Sequence, residues 1–357
     1  MIPPLPLAEQ VKSAILYIMK LLENVPLRDY ATMRLGGPAR YLTEVKKLHE
    51  LEEAANWALD RKSPILVLGG GSNVIIRDEG FPGLVIINKI KGFDVIEDTP
   101  EGAVIRVGAG ENWDEIVERT VHKHLSGIEA LSLIPGSAGA TPVQNVGAYG
   151  QEIADTFIEL QAYDLQTRQL VTLTKEQCGF SYRNSIFKPL NNRRYIIVNL
   201  TLGLFKDMPA PPFYPRLQQF LDEHHITEYT PQIIRDAVIA IRNQRLPNPE
   251  KIPNTGSFFK NPLVSTWLYD DLRAQYPDIP GYPQPDGQIK IPAGWLLEKA
   301  GLRNYADYGM RTYQNNALVF VNEDARSYAD LARFRDEISN VIQTRFRIRL
   351  EQEPELI

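Results

Sequence analysis

LSLIPGSAGATPVQNVGAYG, residues Leu131–Gly150, decides how this chain is read. Within it Gly136, Ser137, Ala138, Gly139, Ala140 and Thr141 form an unbroken run of small side chains. Without bulk in the way, a backbone can come close to a ligand and offer its N–H groups to phosphate oxygens. No helical or strand period passes through the run, so core packing does not account for its composition. Leu131, Leu133 and Ile134 precede it and Val143 and Val146 follow it, which sets it beside a core. A second turn of the same kind, LGGGSNV at Leu68–Val74, follows the apolar run Ile65–Leu68, the pattern of a buried strand. Two such loops can clasp one diphosphate from both sides.

At 357 residues the chain is long for a single core, and two or three domains are expected. Charged residues are 23% and apolar residues 43%, the balance of a globular protein. A net charge of −5 argues against a general nucleic-acid binder and leaves room for a local basic pocket that takes a phosphorylated small molecule. The one cysteine, Cys178, allows neither an internal disulfide nor a cysteine zinc site, which fits a reducing cytoplasm; it reads as a small buried apolar residue. Leu7–Leu22 contains Glu9, Lys12 and Lys20 and has no long apolar core, so no signal peptide is expected. No segment approaches the ~18 apolar residues of a membrane span.

Taken in order, Ala8–Glu23 places Val11, Ala14, Ile15, Ile18 and Leu22 on one face and predicts a packing helix. Tyr41–Val45, Ile65–Leu68 and Leu84–Asn88 read as strands. Leu48–Leu59 reads as a helix with Leu48, Leu51, Ala54, Ala55 and Ala58 inward, which makes a β-α-β-β unit ending near Asn88. Val104–Ala109 opens a second strand-rich unit, followed by a helix that buries Trp113, Ile116, Val117, Thr120, Val121 and Leu125. His122 and His124 lie two apart and cannot share a helical face as metal ligands; no metal site is expected. Ile158–Asp164 and Gln169–Thr172 read as a hairpin and Tyr195–Leu204 as a long strand. The Pro-rich stretch Met208–Pro215 reads as a linker. Beyond it a helix is capped by Thr230 with Pro231 in its first turn, and Pro292–Ala300 is a short helix stopped by Gly301. Ala317–Val321, Ser327–Thr344 and Phe346–Leu350 predict strand, helix and strand.

Familiar nucleotide and hydrolase signatures are absent. After Gly69 and Gly71 stands Val74 where a Rossmann fingerprint needs Gly or Ala, and there is no GxxxxGK[ST], HExxH or GxSxG. A dinucleotide held without a Rossmann fold must be held by something else, and paired Gly-rich loops are one answer.

These stretches together resemble the UDP-N-acetylenolpyruvoylglucosamine reductases, flavoenzymes of bacterial cell-wall synthesis. The landmarks are LGGGSNV at Leu68–Val74, IPGSAGATPVQNVGAYG at Ile134–Gly150 and YRNSIFK at Tyr182–Lys188. TGSFFKNP at Thr255–Pro262, AGWLLEKAG at Ala293–Gly301, NNALVFVN at Asn315–Asn322 and EPE at Glu353–Glu355 complete the series. Seven in one order cover the chain from about Asn24 to Ile357.

The resemblance implies an α+β protein with a two-part FAD-binding region of the vanillyl-alcohol-oxidase type and a C-terminal α+β substrate-binding domain. The divisions implied are residues 1–88, 89–206 and 207–357, the C-terminal tail returning to the active site. It implies noncovalent FAD, NADPH as co-substrate and UDP-N-acetylglucosamine enolpyruvate as substrate, in the cytoplasm, with no nucleic acid, membrane or obligate protein partner. By that analogy Gly69, Gly70, Gly71, Ser72 and Asn73, with Ser137, Ala138, Gly139, Ala140 and Thr141, wrap the FAD diphosphate with backbone donors. Asn145 and Gly147 lie close to the flavin ring.

Also by analogy, Ser257 matches the proton donor, and Arg183 and Glu355 match the residues flanking the substrate carboxylate. Hydride addition to the enol-ether methylene leaves negative charge on the adjacent carbon, which an Arg fork on the carboxylate stabilises and a hydroxyl then quenches. Taken alone, Ser257 reads as a helix N-cap, Arg183 as a surface ion pair and Glu355 as a solvated tail residue; the motifs move them. Tyr214 matches the mobile tyrosine of the type I branch, and Tyr182, Asn261, Tyr282 and Asn316 match other substrate-side positions. The resemblance leads one to expect lysine where Arg245 and Arg303 stand, and glutamine where Asn316 stands. Two other readings are an FAD-linked oxidase sharing the N-terminal half and a nucleotide sensor without catalysis. The first commonly tethers FAD through His or Cys, and the Gly-rich segments hold neither; retained Ser257, Arg183 and Glu355 speak against the second.

Overall fold

A computed structural model describes residues 19–188 and 193–357. The first sheet has the strand order Leu22–Pro26, Pro38–Val45, Phe81–Asn88, Ile65–Leu68, the last three parallel. Leu84, Val85 and Ile86 are 0% exposed, as continuous apolar strands of a parallel sheet covered on its faces should be. Helix Leu48–Asp60 packs on it through Leu51, Ala54, Ala55 and Ala58. Most of the expected helix at Ala8–Glu23 lies outside the described residues. Its last two, Leu22 and Glu23, are instead strand, paired with Leu42 and Tyr41. Ladder pairing along an open sheet edge overrides the local helical stripe there.

The second sheet is antiparallel, in the order Gln169–Thr174, Phe157–Asp164, Tyr195–Phe205, Gly102–Gly108, Phe93–Asp98. Helix Trp113–Val121 begins at Asn112, whose Oδ1 accepts the N–H of Glu115 at 3.2 Å. Trp113 is fully buried and its Nε1 donates to the Leu131 carbonyl at 3.0 Å, so this helix ties down the start of the Gly-rich stretch. Cys178 is buried, and burial pushes its thiol up to about 12, as an inert core residue requires.

Asp164, on the same sheet, accepts from Arg194 Nε at 2.9 Å and Nη2 at 2.6 Å and is 1% exposed. That bidentate bond brings its carboxyl down to about 2. A carboxylate whose folded pKa lies below its unfolded value of ~4 stabilises the fold above that pH. The contribution is lost as pH falls through about 2. Asp164→Asn is therefore expected to flatten the acid limb of melting temperature against pH in that window; a limb unchanged in thermal melts would remove the pair from the acid response.

After the second sheet the Pro-rich stretch ends in a helix that the linker reading missed. Pro215 is the first residue of Pro215–Glu223, a position proline suits because no intrahelical N–H is needed there. This helix and Pro231–Arg245 bury Leu217, Leu221, Ile234, Val238 and Ile241 against Ala130. Arg235 fastens the pair to the second unit by donating to Asp114 Oδ1 at 2.6 Å and Ser132 Oγ at 2.9 Å.

The remaining core lies between helices Ala293–Lys299 and Tyr328–Phe346 and the sheet Asn254–Ser257, Asn316–Asn322, Met310–Tyr313, Ala306–Asp307. Phe258 stacks on Phe320 at 4.2 Å in its centre. The expected strand Phe346–Leu350 is not formed: the helix runs on through Phe346, fully buried, and Arg347 ends it in left-handed conformation. The tail then returns to the first unit, where Glu355–Leu356 lies parallel to Val74–Ile75. Among the described residues no helix is long and apolar enough to cross a membrane.

Candidate active site

The two Gly-rich turns meet backbone to backbone. A Cβ on Gly70 would lie 2.8 Å from the Gly136 Cα, and one on Gly69 only 2.0 Å from Ser137 Oγ. Ser72 Oγ donates to the Pro135 carbonyl at 2.9 Å and Asn73 Nδ2 to Gln144 Oε1 at 2.7 Å, which fixes one loop on the other. Cavities of about 670, 280 and 140 Å³ join at Gly69 and Ser137. Together they make a trench between the sheets that opens toward the third unit.

Hydrogen-bond accounting separates the two loops. Among the described residues no protein acceptor takes the N–H of Gly69, Gly70, Gly71, Ser72 or Asn73, so five donors remain for a ligand. Ser137–Thr141 does not offer the matching set that was expected. Ala138 donates to the Glu111 carbonyl and Gly139 to Ala109, while the 3-10 turn Ala138–Ala140 takes the Ala140 N–H to Ser137 and that of Thr141 to Ala138. Only Ser137 keeps its N–H free; Gly139, Ala140 and Thr141 contribute closeness of approach, and Ala138 is fully buried behind the cavity wall. Asn145 also departs from expectation. It is 1% exposed, gives Nδ2 to Glu152 Oε2 at 2.5 Å and takes the Ala154 N–H at 3.0 Å, so it braces the Gly147–Ala148 and Gln151–Glu152 hairpin while Gly147 itself lines the cavity.

Ser257, Arg183 and Glu355 line one cavity with Gly69–Asn73 and Gly147. Ser257 closes the strand Asn254–Ser257, paired with Val319, so it caps no helix; its hydroxyl has no protein partner among the described residues. Arg183 has φ 54, the left-handed region, and donates Nε to Glu353 Oε1 and Nη2 to the Gly147 carbonyl, both at 2.9 Å. Glu355 is held where the tail pairs: its N–H donates to the Asn73 carbonyl at 2.9 Å, and the Ile357 N–H to Ile75 at 2.8 Å. Burial raises the Glu355 carboxyl above its ordinary range, opposed by the cations Arg193 and Lys188.

The expected substrate-side residues lie outside the lining of these three cavities. Tyr214 is 47% exposed and meets Tyr149 edge-on at 6.0 Å, within electrostatic reach of Tyr282, Arg216 and Arg245. Burial, then Arg216, lowers the pKa of Arg245, with Arg303 also among its like-charged neighbours; Arg303 pairs with Glu298 at 2.7 Å. Tyr182 carries Arg183 at 5.3 Å and Lys290 at 5.1 Å against its ring. Asn261 Oδ1 accepts the Ala293 N–H at 2.9 Å, and Asn316 Oδ1 stands 3.8 Å from where a Gly294 Cβ would be, so both amides flank the start of helix Ala293–Lys299. Sequence reasoning passed over Tyr149, Arg216, Arg242 and Glu353. Glu353 stood inside a quoted motif; Arg216 and Arg242 gave no signal above an ordinary helix surface.

Whether these residues fit a dinucleotide can be tested on the structure. Arg242 Nε and Thr255 Oγ1 are buried with no protein partner, and both residues line the trench at the open loop. A buried polar atom left without a partner is costly, and a bound polar ligand in the trench would satisfy these two. With five free N–H groups and glycines at the closest approach, the donor set suits an anionic diphosphate. Among the described residues no His or Cys lines the trench. Among the described residues no group of three or more His, Cys, Asp or Glu could hold a metal ion.

Known proteins are similar to this chain in sequence and fold. Residues 39–173 match the family described as FAD binding domain, and residues 248–357 that described as UDP-N-acetylenolpyruvoylglucosamine reductase, C-terminal domain. A UDP-N-acetylenolpyruvoylglucosamine reductase of Ralstonia nicotianae is 40% identical over 343 residues, 95% of this chain and 100% of that protein. That of Cupriavidus pinatubonensis is 41% identical over 93% of this chain and 98% of its own. The crystal structure of a UDP-N-acetylenolpyruvylglucosamine reductase from Thermus caldophilus superposes with a TM-score of 0.65 at 24% identity, covering 95% of this chain and 99% of that one, and shows the same fold. The fold class is thus α+β, a two-part FAD-binding region of the vanillyl-alcohol-oxidase type followed by the C-terminal domain. With identity of this order over nearly its whole length, the chain belongs to the UDP-N-acetylenolpyruvoylglucosamine reductase family.

Proposed function

We propose that this chain is an FAD-dependent reductase that uses NADPH to convert UDP-N-acetylglucosamine enolpyruvate to UDP-N-acetylmuramate for peptidoglycan synthesis. The observation that carries the reading is the meeting of Ser257, Arg183 and Glu355, from three distant segments, on one cavity with the free N–H groups of Gly69–Asn73. Bound FAD supplies the hydride relay between NADPH and the enolpyruvyl group. Gly69–Asn73, Ser137 and Arg242 would hold it, with Gly139, Ala140 and Thr141 giving room and Gly147 lining the same cavity.

The chain's own residues do the rest. Arg183 grips the substrate carboxylate and takes up the negative charge that spreads into it during reduction. Glu355, whose carboxyl burial raises above its ordinary range, flanks the same group. Ser257 gives its proton to the carbon beside the new C–H bond. Tyr214 and Tyr182, with Arg245, Arg303, Asn261, Tyr282 and Asn316, take the nucleotide sugar, and residues after Met208 form that unit. Reliance on NADPH and a nucleotide sugar supports a cytoplasmic setting.

The test is spectroscopic. Purified protein should be yellow and release all its flavin to the supernatant on acid precipitation. Under anaerobic conditions NADPH should bleach the colour, and the UDP-enolpyruvyl sugar should restore it. Flavin that stays with the precipitate sinks the noncovalent assignment; bleached enzyme indifferent to that sugar sinks the substrate.

A further inference from the structure

Arg183 is held from three sides. Its Nε donates to Glu353 Oε1 and its Nη2 to the Gly147 carbonyl, both at 2.9 Å, while Lys188 Nζ donates to its own carbonyl at 3.0 Å. Nη1 has no protein partner among the described residues, and it would lie 3.2 Å from a Cβ on Gly147. Of the pair, the Arg183 side chain is 20% exposed and that of Glu353 13%, so solvent screens their attraction little. Glu353 is itself fixed, its N–H donating to the Phe258 carbonyl at 2.9 Å next to Ser257. The tail thus sets one carboxylate on the guanidinium, while the other, Glu355, lines the same cavity from the residue whose N–H donates to the Asn73 carbonyl.

We propose that Glu353 is the positioning residue for Arg183, holding the guanidinium by Nε so that its Nη1 edge is presented to the substrate carboxylate. The inference rests on the reading of Arg183 as the carboxylate grip. A planar guanidinium on a flexible stem loses its fork geometry unless the stem end is fixed, and one anchored edge leaves the other free for a ligand. Glu353 also places a negative charge near the bound carboxylate, so it favours alignment at some cost in attraction. Removing that charge should therefore hurt turnover more than binding.

The test compares Glu353→Gln, Glu353→Asp, Arg183→Gln and the double variant Arg183→Gln/Glu353→Gln. In stopped flow, Glu353→Gln should be bleached by NADPH within twofold of the wild-type rate. Its reoxidation by the enolpyruvyl sugar should slow about 10-fold, a coupling usual within one ion-pair network. Binding of UDP-N-acetylmuramate by calorimetry should weaken by no more than twofold, and the melting temperature should hold. Glu353→Asp keeps the charge one methylene short and should fall between. In the double variant the reoxidation loss should match that of Arg183→Gln alone. A Glu353→Gln enzyme that reoxidises normally overturns the proposal, as do losses that multiply in the double variant. So does a rate loss that comes with equal loss of product binding and of thermal stability. If Glu353→Gln does not fold, Glu353→Asp carries the same comparison. A normal Arg183→Gln enzyme would sink the carboxylate grip itself, whereas a slow Arg183→Gln beside a normal Glu353→Gln sinks only the positioning role.

Discussion

Ser257→Ala is expected to leave the bleaching of the flavin by NADPH near its normal rate and to slow reoxidation by the UDP-enolpyruvyl sugar by ~10²–10⁴, the range of general acid catalysis. The two halves separate because a proton is needed only once hydride has reached the enolpyruvyl carbon. The alternative for a serine followed by an apolar run was a helix cap, whose loss costs ~1 kcal/mol of stability. The structure removes it: Ser257 closes a strand against Val319 and the next helix in the chain, Thr266–Gln275, starts well beyond it. The melting temperature of Ser257→Ala should thus stay put while reoxidation collapses. Ser257→Cys keeps a transferable proton and should recover part of the loss. Reoxidation at the wild-type rate in Ser257→Ala would take the proton donor elsewhere in the cavity.

Gly70→Val is expected to give a folded, colourless protein. Gly70 is not one of the left-handed glycines, so a side chain there meets no backbone penalty and tests close approach alone. Its Cβ would sit 2.8 Å from the Gly136 Cα, backbone against backbone, and no rotamer relieves that. The loops must part, and the five free N–H groups of Gly69–Asn73 lose their common target. Overpacking of this kind reaches ~3 kcal/mol, which lowers FAD affinity ~100-fold. Gly287→Ala is the control: it carries φ +81 but nothing lies within 4 Å of its added methyl, so strain without a clash should leave flavin content intact. Flavin content from absorbance at 450 nm, beside far-ultraviolet circular dichroism, reads both. Full occupancy in Gly70→Val would mean that the cofactor does not depend on the contact of the two loops.

Much of this protein is written locally and was legible in order along the chain. The stripe of Leu51, Ala54, Ala55 and Ala58, the Thr230 cap with Pro231 behind it and the apolar run Ile65–Leu68 each specify an element from neighbours a few residues away. Small-residue runs likewise announce close backbone approach wherever they fold. Tertiary structure alone decided where each donor and each charge is spent. Ser137–Thr141 and Gly69–Asn73 look alike as composition, yet four N–H groups of the first are taken, two inside its own 3-10 turn and two by the Glu111 and Ala109 carbonyls, while the second leaves five unpaired among the described residues. In the motif EPE, the partner of Arg183 is Glu353, 170 residues away, because the tail runs parallel to Val74–Ile75 and that register points the two glutamates at different neighbours. Leu22 and Glu23 joined a sheet edge, and Phe346 a core, against their local patterns. Local periodicity fixes elements through contacts three or four residues apart, but register between distant segments sets which hydrogen bonds remain open, and those open bonds make the site.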